Sequence, residues 1–388
     1  MLPRSVVVIG AGPAGLAAVR GYRAAGGQGT VTLVGTESHL PYNRPPLSKE
    51  YLRGELERDD LVLEAASWFV EHAVKLCLGT HARELDPQRG EVRLADGQAI
   101  AADACVLATG SRPLRPPVPG FEHEGVLELR ALDDSERLAR RAASASRAVV
   151  IGSGFIGCEA AASLAMRGLQ VTVVTQERLP LQARLGPQAG RVLSTWLREA
   201  GVELILGAEV EAIEDASLVR VAGGPEIDAD VVLLAAGVAP NGELAGALGV
   251  ELHDGAVPVD ASMRSADPWL SAAGDVAWAQ NSRAGRRLRV EHWGDALAQG
   301  QVAGRALAGA RARWDEVPGF WSTIGRRTLK YAAWGDGFDE PHHVDHEHGD
   351  GAFTIWYTQD GVAVGVLTHE RDEDYERGRE LIAEGRRL

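Results

Sequence analysis

Residues 5–15 read SVVVIGAGPAG, and this stretch decides the fold. Its first five residues are apolar and mostly β-branched, which predicts a strand buried on both faces of a parallel sheet. The glycines that follow have the spacing Gly-x-Gly-x-x-Gly, and an alanine-rich helical stretch continues to about Ala25. In this setting the first glycine allows a tight turn, the second lets the backbone approach a pyrophosphate, and the third lets helix and strand close together. The sequence therefore predicts a dinucleotide-binding loop formed by Gly10, Gly12, Pro13, Ala14 and Gly15.

A carboxylate follows this loop at the distance that such a site needs. A second apolar run at residues 31–34 predicts the next strand, and Glu37 comes just after it, 22 residues beyond Gly15. An acid at this point can accept hydrogen bonds from the ribose hydroxyls of a bound dinucleotide.

The same pattern returns 142 residues later. An apolar run at residues 148–151 leads into GSGFIG, then a helical stretch to Met166, and then a second apolar run at residues 171–174. Two copies in the same strand, loop and helix context indicate a duplicated module rather than a chance match. We expect a second dinucleotide site at Gly152, Gly154, Phe155, Ile156 and Gly157.

The residues after the second copy bear on which dinucleotide the second site would bind. Thr175 stands where an acid for the adenine ribose is expected, and Glu177 and Arg178 follow it. Glu177 reaching back to the ribose would favour NADH, whereas Arg178 would favour the 2′-phosphate of NADPH. The pattern favours NADH and leaves both donors open.

The order of these elements predicts an α/β fold with two Rossmann-like dinucleotide-binding domains. Each glycine motif is followed, some 80 to 100 residues later, by an apolar strand that ends in glycine, at residues 105–110 and 231–237. Alternating apolar residues at 352–357 and 362–367 predict a small α+β domain at the C-terminus. Two dinucleotide sites in one chain suggest a flavin and a nicotinamide. The predicted domains are FAD binding at 1–113 with 239–316, NAD(P) binding at 114–238, and the C-terminal domain at 317–388.

Composition narrows the range of partners. The chain has 388 residues, with 40 Lys+Arg against 54 Asp+Glu and a formal charge of −14, which argues against nucleic acid or an anionic membrane as the main partner. The sequence has no apolar run of the roughly eighteen residues needed to cross a bilayer. Its three cysteines, Cys77, Cys105 and Cys158, are too scattered for a disulfide framework. A reducing, cytoplasmic setting is the expectation.

Several further motifs resemble one known family. Residues 40–49 read LPYNRPPLSK, a stretch similar to the signature of the FAD-dependent NAD(P)H:ferredoxin reductases that serve oxygenases. These are relatives of the putidaredoxin, rubredoxin and biphenyl dioxygenase reductases, to which apoptosis-inducing factor is also related. Further matches are ATGSRP at 108–113, GFIGCE at 154–159, GVAPN at 237–241, AGDV at 273–276 and EHW at 291–293.

The resemblance implies roles for individual residues. It puts Lys49 beside the reactive edge of the flavin, where a cation favours the electron-rich reduced form. It puts Glu159 at the nicotinamide carboxamide and suggests that Glu159 pairs with Lys49, so these two are the candidate catalytic residues. Asp275 would face the ribityl–pyrophosphate region, and the Trp293 backbone the flavin pyrimidine. Outside the two glycine loops, the candidate cofactor-binding residues are Glu37, Arg44, Lys49, Ala82, Thr109, Gly110, Arg130, Glu159, Thr175, Glu177, Arg178, Gly237, Gly274, Asp275, Glu291, His292, Trp293 and Trp321.

The electron acceptor is expected to be another protein. Disulfide reductases of the same architecture carry redox cysteines around Lys49, and this sequence has none there, so electrons must leave directly. That suits a transient [2Fe–2S] ferredoxin partner feeding an oxygenase. Basic residues at 283–289 (Arg283, Arg286, Arg287, Arg289) and at 326–330 (Arg326, Arg327, Lys330) would steer an acidic ferredoxin, or else are ordinary solvated cations. The family element FWS at 320–322 continues as Thr323-Ile324 instead of Asp-Gln, so the acceptor itself is open to change.

Other functions remain open at this point. The same flavin would serve an NAD(P)H oxidase or a quinone or small-molecule reductase, and a redox-sensing binding protein resembling apoptosis-inducing factor is a further alternative. The sequence does not decide between a monomer and a homodimer. A histidine cluster, His342, His343, His346 and His348, suggests an exposed polar hairpin loop rather than a metal site, and we predict no bound metal.

Overall fold

The structure is a computed structural model that describes residues 2–346 and 351–388. Two short 3₁₀ helices span Pro45–Ser48 and Arg58–Leu61. The α-helices in the described residues are α1 (Pro13–Ala24), α2 (Glu50–Arg53), α3 (Ala66–Glu71), α4 (Leu132–Ala142), α5 (Phe155–Met166), α6 (Gln182–Glu199), α7 (Glu243–Ala247), α8 (Trp293–Leu307) and α9 (Asp372–Glu384).

Most strands are short and alternate with these helices. In chain order they are β1 (Ser5–Ile9), β2 (Thr30–Gly35), β3 (Val74–Leu78), β4 (Ala82–Asp86), β5 (Glu91–Leu94), β6 (Ala99–Ala101), β7 (Ala104–Leu107), β8 (Ser111–Pro113), β9 (Val126–Leu127), β10 (Arg147–Ile151), β11 (Gln170–Thr175), β12 (Val202–Leu206), β13 (Val210–Glu214), β14 (Leu218–Val221), β15 (Glu226–Asp228), β16 (Val231–Leu234), β17 (Val238–Pro240), β18 (Val257–Val259), β19 (Leu270–Ala272), β20 (Ala277–Asn281), β21 (Arg286–Arg289), β22 (Gly319–Ile324), β23 (Arg327–Ala333), β24 (Glu340–Asp345), β25 (Phe353–Gln359) and β26 (Val362–His369).

The chain folds into two compact units, each assembled from three separate segments. The first unit comprises Met1–Asn43, Val62–Arg112 and Ala239–Phe320, and the second comprises Arg44–Leu61, Pro113–Val238 and Trp321–Leu388. The short segment 44–61 therefore belongs with the second glycine motif, although it is flanked on both sides by residues of the first unit. The three-domain division at residues 113, 238 and 316 remains a prediction.

The first unit is built on a five-stranded parallel sheet with the order β19-β7-β1-β2-β3. Strand β1 is central, and residues 6–9 are buried, as the apolar run predicts. A three-stranded antiparallel sheet, β4-β5-β6, precedes β7 in the chain, and β18-β20-β21 form a further small sheet. The carboxyl end of β1 leads directly into the first glycine loop.

The second unit repeats this plan. Its parallel sheet has the order β12-β11-β10-β16-β9, so that β10, β11, β12 and β16 correspond to β1, β2, β3 and β7. The antiparallel sheet β13-β14-β15 occupies the place in the chain that β4-β5-β6 holds in the first unit. The equivalent strand order shows the duplication that the two glycine motifs predict.

The C-terminal part of the chain is antiparallel, as its alternating pattern predicts. Strands β22 to β26 form a sheet with the order β22-β23-β26-β25-β24, and α9 packs against β26. The predicted architecture, two Rossmann-like sheets followed by a small α+β region, is confirmed.

Helices α1 and α8 of the first unit cross at very short range because glycines line the crossing. A Cβ atom added at Gly304 would lie 1.9 Å from the Ala18 carbonyl oxygen, and one at Gly300 would lie 2.2 Å from the Ala14 oxygen. A Cβ at Gly21 would lie 2.5 Å from the Gln301 oxygen. The two backbones are thus in direct contact, and no side chain larger than hydrogen fits between them.

We expect Gly304→Ala to lower the free energy of unfolding by about 3 kcal/mol or more, because the helix backbones must separate to admit the methyl group. Gly294→Ala in the same helix is the control, since its Cβ would meet nothing closer than 3.9 Å. The control should change stability by less than about 1 kcal/mol. Urea unfolding followed by circular dichroism measures both, and equal effects of the two substitutions would contradict the proposed crossing.

Candidate functional site

The first glycine loop has two tightly packed glycines and one that faces open space. Gly10 has φ 113°, and a Cβ there would lie 2.0 Å from the Ala108 oxygen. A Cβ at Gly15 would lie 1.8 Å from the Gly10 oxygen, whereas one at Gly12 would meet nothing within 4 Å. The first and third glycines therefore serve the close packing of the fold, and the second leaves its backbone accessible to a ligand.

The second loop reproduces this geometry. A Cβ at Gly152 would lie 2.3 Å from the Ala235 oxygen, and one at Gly157 would lie 2.3 Å from the Gly152 oxygen. Gly154 again has nothing within 4 Å. Helices α1 and α5 begin directly after Gly12 and Gly154, so the positive end of each helix dipole lies at the loop. Both loops thus fit the pyrophosphate of a dinucleotide.

Two carboxylates of the first unit are oriented by hydroxyl groups. The Tyr42 hydroxyl donates a hydrogen bond of 2.6 Å to Glu37 Oε2 just beyond β2. The Ser111 hydroxyl donates to Asp275 Oδ2 at 2.8 Å, and both residues are buried. The backbone N–H of Gly274, which has φ 79°, donates to Gln299 Oε1 at 2.9 Å. Acids predicted for the ribose and the ribityl–pyrophosphate region are therefore held in fixed orientations.

Other candidate residues of the first unit lie at strand and helix ends. Thr109, beside Gly110 (φ 64°), donates through Oγ1 to the Asn241 carbonyl at 2.7 Å. His292 Nδ1 lies 3.2 Å from Asp295 Oδ2 at the start of α8, where Trp293 is the first helical residue. Of the other candidates in this unit, Ala82 is buried at the start of β4, and Glu291 accepts a hydrogen bond from Arg289.

In the second unit, Glu177 lies against the glycine loop. Glu177 Oε1 accepts the backbone N–H of Ala183 at 3.0 Å, and Oε2 lies 3.4 Å from the Ser153 hydroxyl. That hydroxyl is also 2.9 Å from Thr175 Oγ1, and Thr175 is buried. Arg178 is exposed. The carboxylate two positions beyond the strand end is therefore folded back toward the loop, while the neighbouring arginine faces solvent.

Lys49 and Glu159 form a buried ion pair within the second unit. Lys49 Nζ lies 2.8 Å from Glu159 Oε2, and the two residues are only 5% and 3% exposed. Two hydroxyls complete the cluster, since Ser48 Oγ donates to Glu159 Oε2 at 2.5 Å and Ser322 Oγ donates to Oε1 at 2.7 Å. Removing one partner of such a pair leaves an uncompensated buried charge, which costs about 3–5 kcal/mol.

The segment that carries Lys49 is fixed by further serines. The Ser135 hydroxyl of α4 donates to the Leu47 carbonyl at 2.7 Å, and the Ser163 hydroxyl of α5 donates to the Ser48 carbonyl at 2.7 Å. Arg44, at the start of the segment, donates from Nη1 to the Arg130 carbonyl at 2.7 Å. These bonds hold the backbone around Lys49 on α4 and α5.

The remaining candidates of the second unit differ in exposure. Phe155 is half-buried, while Ile156 beside it is 46% exposed although it is apolar. Trp321 is 47% exposed on β22, and Gly237 has φ 101° after β16. Exposed apolar side chains at a glycine loop and at a strand edge are the kind that a bound ligand would cover.

The three thiols do not form a redox pair. Cys77, Cys105 and Cys158 are all free. Burial raises the pKa of the Cys105 thiol well above its usual range. Burial, with the negative charges of Glu159 and Glu177 adding to it, does the same to the pKa of Cys158. Both buried thiols are protonated at neutral pH, and neither is a nucleophile.

In the first predicted arginine cluster, two members bond to backbone carbonyl groups rather than to carboxylates. On the β20–β21 hairpin, Arg283 and Arg287 donate to the backbone carbonyls of Asp315 and Val259, which carry no net charge. The Arg287 guanidinium lies 5.2 Å from the ring centroid of Trp278. Arg289 differs, because Glu291 pairs with it at 2.9 Å.

Two of the three residues of the second predicted cluster are paired with acids of their own unit. Arg327 forms a salt bridge with Glu199, and Lys330 Nζ lies 2.6 Å from Asp372 Oδ1. A docking surface built on residues 326–330 would thus compete with these acids, so the hairpin is the better candidate.

Part of the histidine cluster falls within the described residues. His342 and His343 are exposed as predicted, but they lie on strand β24 rather than in a loop. His346 follows this strand, and its Nε2 lies 3.3 Å from Asp374 Oδ2. His348 lies outside the described residues. Among residues 2–346 and 351–388, no group of three or more His, Cys, Asp or Glu side chains is arranged to hold a metal ion.

The candidate residues named from the sequence miss the hydroxyl groups that orient the carboxylates, which are those of Tyr42, Ser48, Ser111, Ser153 and Ser322. Four of them are buried serines, and nothing in their spacing distinguishes them from other buried serines. Ser322 lies in the FWS element, and that resemblance is the only signal that could have drawn attention to it.

Comparison with known proteins agrees with this geometry. The family model described as Pyridine nucleotide-disulphide oxidoreductase matches residues 4–300. Rhodocoxin reductase of Rhodococcus erythropolis is 37% identical over 385 residues, which cover 98% of this chain and 89% of that protein. Putidaredoxin reductase of Pseudomonas putida is 31% identical over 389 residues, covering 98% and 92%. The crystal structure of a covalent putidaredoxin reductase–putidaredoxin complex has a TM-score of 0.92 at 30% identity and covers 98% of this chain and 93% of that one.

Each of the two glycine loops follows the central strand of a parallel sheet. This arrangement defines an oxidoreductase that binds two dinucleotides. The chain belongs to the pyridine nucleotide-disulphide oxidoreductase family, and its relatives are the ferredoxin reductases that the sequence motifs indicate. The resemblance predicted from the sequence and the fold class are therefore confirmed. No helix in the described part of the chain has both the length and the apolar character to span a membrane.

We expect the folded protein to expose at most one reactive thiol, that of the half-buried Cys77, because the raised pKa values of Cys105 and Cys158 suppress their thiolates at neutral pH. Titration with a chromogenic disulfide reagent, before and after denaturation, counts the reactive groups. The Cys77→Ser variant should then show none in the native state. Rapid reaction of two or more thiols in the folded protein would contradict the geometry.

Proposed function

We propose that this chain takes reducing equivalents from NAD(P)H and passes electrons singly to a [2Fe–2S] ferredoxin that feeds an oxygenase. FAD, when bound, supplies the change from two-electron to one-electron transfer. The observation that carries the proposal is the matched pair of glycine loops, each with packed outer glycines and an open middle glycine. The relatives named as rhodocoxin and putidaredoxin reductases support the same activity.

Residues of the first unit are suited to hold FAD. The loop at Gly12 would receive the pyrophosphate, Glu37 the ribose hydroxyls, and Asp275 the ribityl side. Hydroxyl donors from Tyr42 and Ser111 keep both carboxylates from rotating away, which lowers the entropy lost on binding. On this basis we propose 1–113 with 239–316 as the FAD-binding domain.

Residues of the second unit are suited to hold the nicotinamide dinucleotide, with its pyrophosphate at Gly154. Glu159 would accept the carboxamide N–H, and the apolar Ile156 would be covered by the nicotinamide ribose or ring. We propose 114–238 as the NAD(P)-binding domain and 317–388 as the C-terminal domain. Positioning does most of the chemical work here, because no side chain need act as a nucleophile.

Lys49 would place a fixed positive charge at the flavin edge. Its ammonium group is held by Glu159, and the backbone beside it is held by Ser135 and Ser163. A preorganised cation of this kind stabilises developing negative charge without reorganisation during the reaction.

Electrons would leave for an external protein, because the chain holds no thiol pair to receive them. The three thiols are free, and the two buried ones are protonated, which also suits the reducing, cytoplasmic setting that we propose. The formal charge of the chain is −14, so an acidic ferredoxin needs a local positive surface to dock. The arginine hairpin around Arg283 and Arg287 supplies one.

The test combines an electron-transfer assay with charge reversal on the hairpin. We expect a [2Fe–2S] ferredoxin to stimulate NADH-dependent cytochrome c reduction. The double variant Arg283→Glu/Arg287→Glu should lower kcat/KM for ferredoxin about ten-fold or more at low salt, with the difference shrinking as salt rises. Reduction of ferricyanide, which needs no protein docking, should be unchanged.

Arg198→Glu on α6 is the matched control, since Arg198 is also exposed but lies in the other unit. An equal loss in this control would refute the hairpin as the docking surface. A failure of every ferredoxin tested to stimulate cytochrome c reduction would refute the proposed acceptor.

We propose NADH rather than NADPH as the donor, because the Glu177 carboxylate is anchored beside the loop by Ala183 N–H and approached by the Ser153 hydroxyl. At that place a carboxylate accepts from ribose hydroxyls and repels a 2′-phosphate. The exposed Arg178 has no comparable anchor at the loop.

We expect Glu177→Gln to lower the ratio of kcat/KM for NADH to that for NADPH about ten-fold or more, since the repulsive charge is lost while the shape is kept. Glu203→Gln is the control and should leave the ratio unchanged, because Glu203 is an exposed residue of β12 at the opposite end of the parallel sheet. Steady-state rates with both nucleotides measure the ratio. A wild-type preference for NADPH would show that Arg178 decides the donor instead.

A further inference from the structure

The Glu159 carboxylate receives three hydrogen bonds from the protein. Two of them, from Ser48 at 2.5 Å and Lys49 at 2.8 Å, converge on Oε2. The third, from Ser322 at 2.7 Å, goes to Oε1. An ionised carboxylate has about four acceptor positions, two on each oxygen. One position on Oε1 therefore remains available.

Ser322 is the one protein donor to that oxygen within the described residues. Its side chain lies on β22, where the burial of Ser322 and Ile324 contrasts with the exposure of Trp321, so that the hydroxyl faces the interior. Ser322 is 1% exposed, and Glu159 lies 163 positions earlier in the chain. The hydroxyl is therefore held by the strand and cannot be replaced by water without a rearrangement.

The three hydrogen bonds are divided unequally between the two oxygens of Glu159, and this division restrains the orientation of the carboxylate group. Rotation about the Cγ–Cδ bond moves both carboxylate oxygens together. The donors on Oε2 oppose this rotation at one oxygen, and the Ser322 hydroxyl opposes it at the other and sets which acceptor position of Oε1 stays free. Without it, Oε1 would be a buried charged acceptor with no partner, and the carboxylate would turn to recover one.

We infer that Ser322 is a positioning residue that orients Glu159 Oε1 so that its free acceptor position receives the carboxamide N–H of the nicotinamide. This inference rests on the proposed function, which brings that carboxamide to Glu159. The C-terminal sheet would in this way set the selectivity for a carboxamide over other substituents on the pyridine ring. The hydroxyl neither touches the reacting atoms nor moves a proton.

The reduced 3-acetylpyridine analogue of NADH tests the inference, because a methyl ketone replaces the carboxamide and no N–H is left to donate. The readout is the discrimination ratio, kcat/KM for NADH divided by kcat/KM for the analogue, measured with ferricyanide. We expect Ser322→Ala to lower this ratio roughly ten-fold, mainly through a higher KM for NADH, while the analogue is little affected. Ser322→Thr keeps a hydroxyl and should restore most of the ratio.

Ser194→Ala is the matched control. Ser194 is also a buried serine of the second unit, but its hydroxyl donates to the Gly190 carbonyl within α6. Its loss should leave the discrimination ratio unchanged. Dissociation constants of NAD⁺ and oxidised analogue, measured by calorimetry on the FAD-loaded protein, should show the same selectivity without turnover.

The results distinguish a failure of the positioning role of Ser322 from a failure of the proposed function. Equal losses with both nucleotides in Ser322→Ala, or an unchanged ratio, would overturn the positioning role while NADH oxidation by the wild type leaves the proposed function intact. A wild-type protein that binds FAD but does not oxidise NADH would overturn the proposed function and this inference with it.

Discussion

Both nucleotide loops depend on one constraint: their backbone atoms lie so close to neighbouring backbone atoms that no side chain fits between them. At Gly15 and Gly157 the missing Cβ lets a helix start against the strand that precedes it. At Gly10 and Gly152 it lets the loop turn against the neighbouring strand end at Ala108 or Ala235. The fold fills these four positions with its own backbone. The space in front of Gly12 and Gly154 remains for a ligand. The absence of a Cβ atom at the four packed glycines therefore determines both how the sheet packs and what shape the binding loop has.

A second constraint is the buried ion pair of Lys49 and Glu159. Moving two charges out of water is costly, and their attraction offsets that cost only when the geometry is good and the other acceptor positions are filled. Here the hydroxyls of Ser48 and Ser322 fill two of them. Such a pair contributes little net stability compared with apolar residues, so its value lies in specifying one arrangement of the segment that carries Lys49.

The sequence predicts the features that depend on local spacing. The glycine loops and Glu37 follow from periodicity and from distances of about twenty residues, and the structure has the strands and helices where these patterns place them. Lys49 and Glu159 are 110 residues apart, so their contact depends on the tertiary fold, and only the family resemblance suggested it. For Ser322 the only signal is the resemblance of the FWS element, because a buried serine in a strand looks the same whether or not it orients a carboxylate. The basic residues show the same limit, since the partners of Arg327 and Lys330 lie 128 and 42 positions away.

Each unit is assembled from three separate segments of the chain, and this limits which fragments of the protein can be expressed with their contacts intact. Residues 44–61 precede the first unit's second segment but belong to the compact body that contains the second glycine loop. A fragment cut at residues 113 and 238 would keep Glu159 and lose Lys49, Ser48 and Ser322 together. Its Glu159 would then have lost all three of its hydrogen-bond donors and the segment that packs on α5, so the excised piece would differ from the parent at this carboxylate. Recombination between relatives faces the same obstacle, because exchanging the nucleotide module as one continuous stretch separates a buried charge from all of its partners.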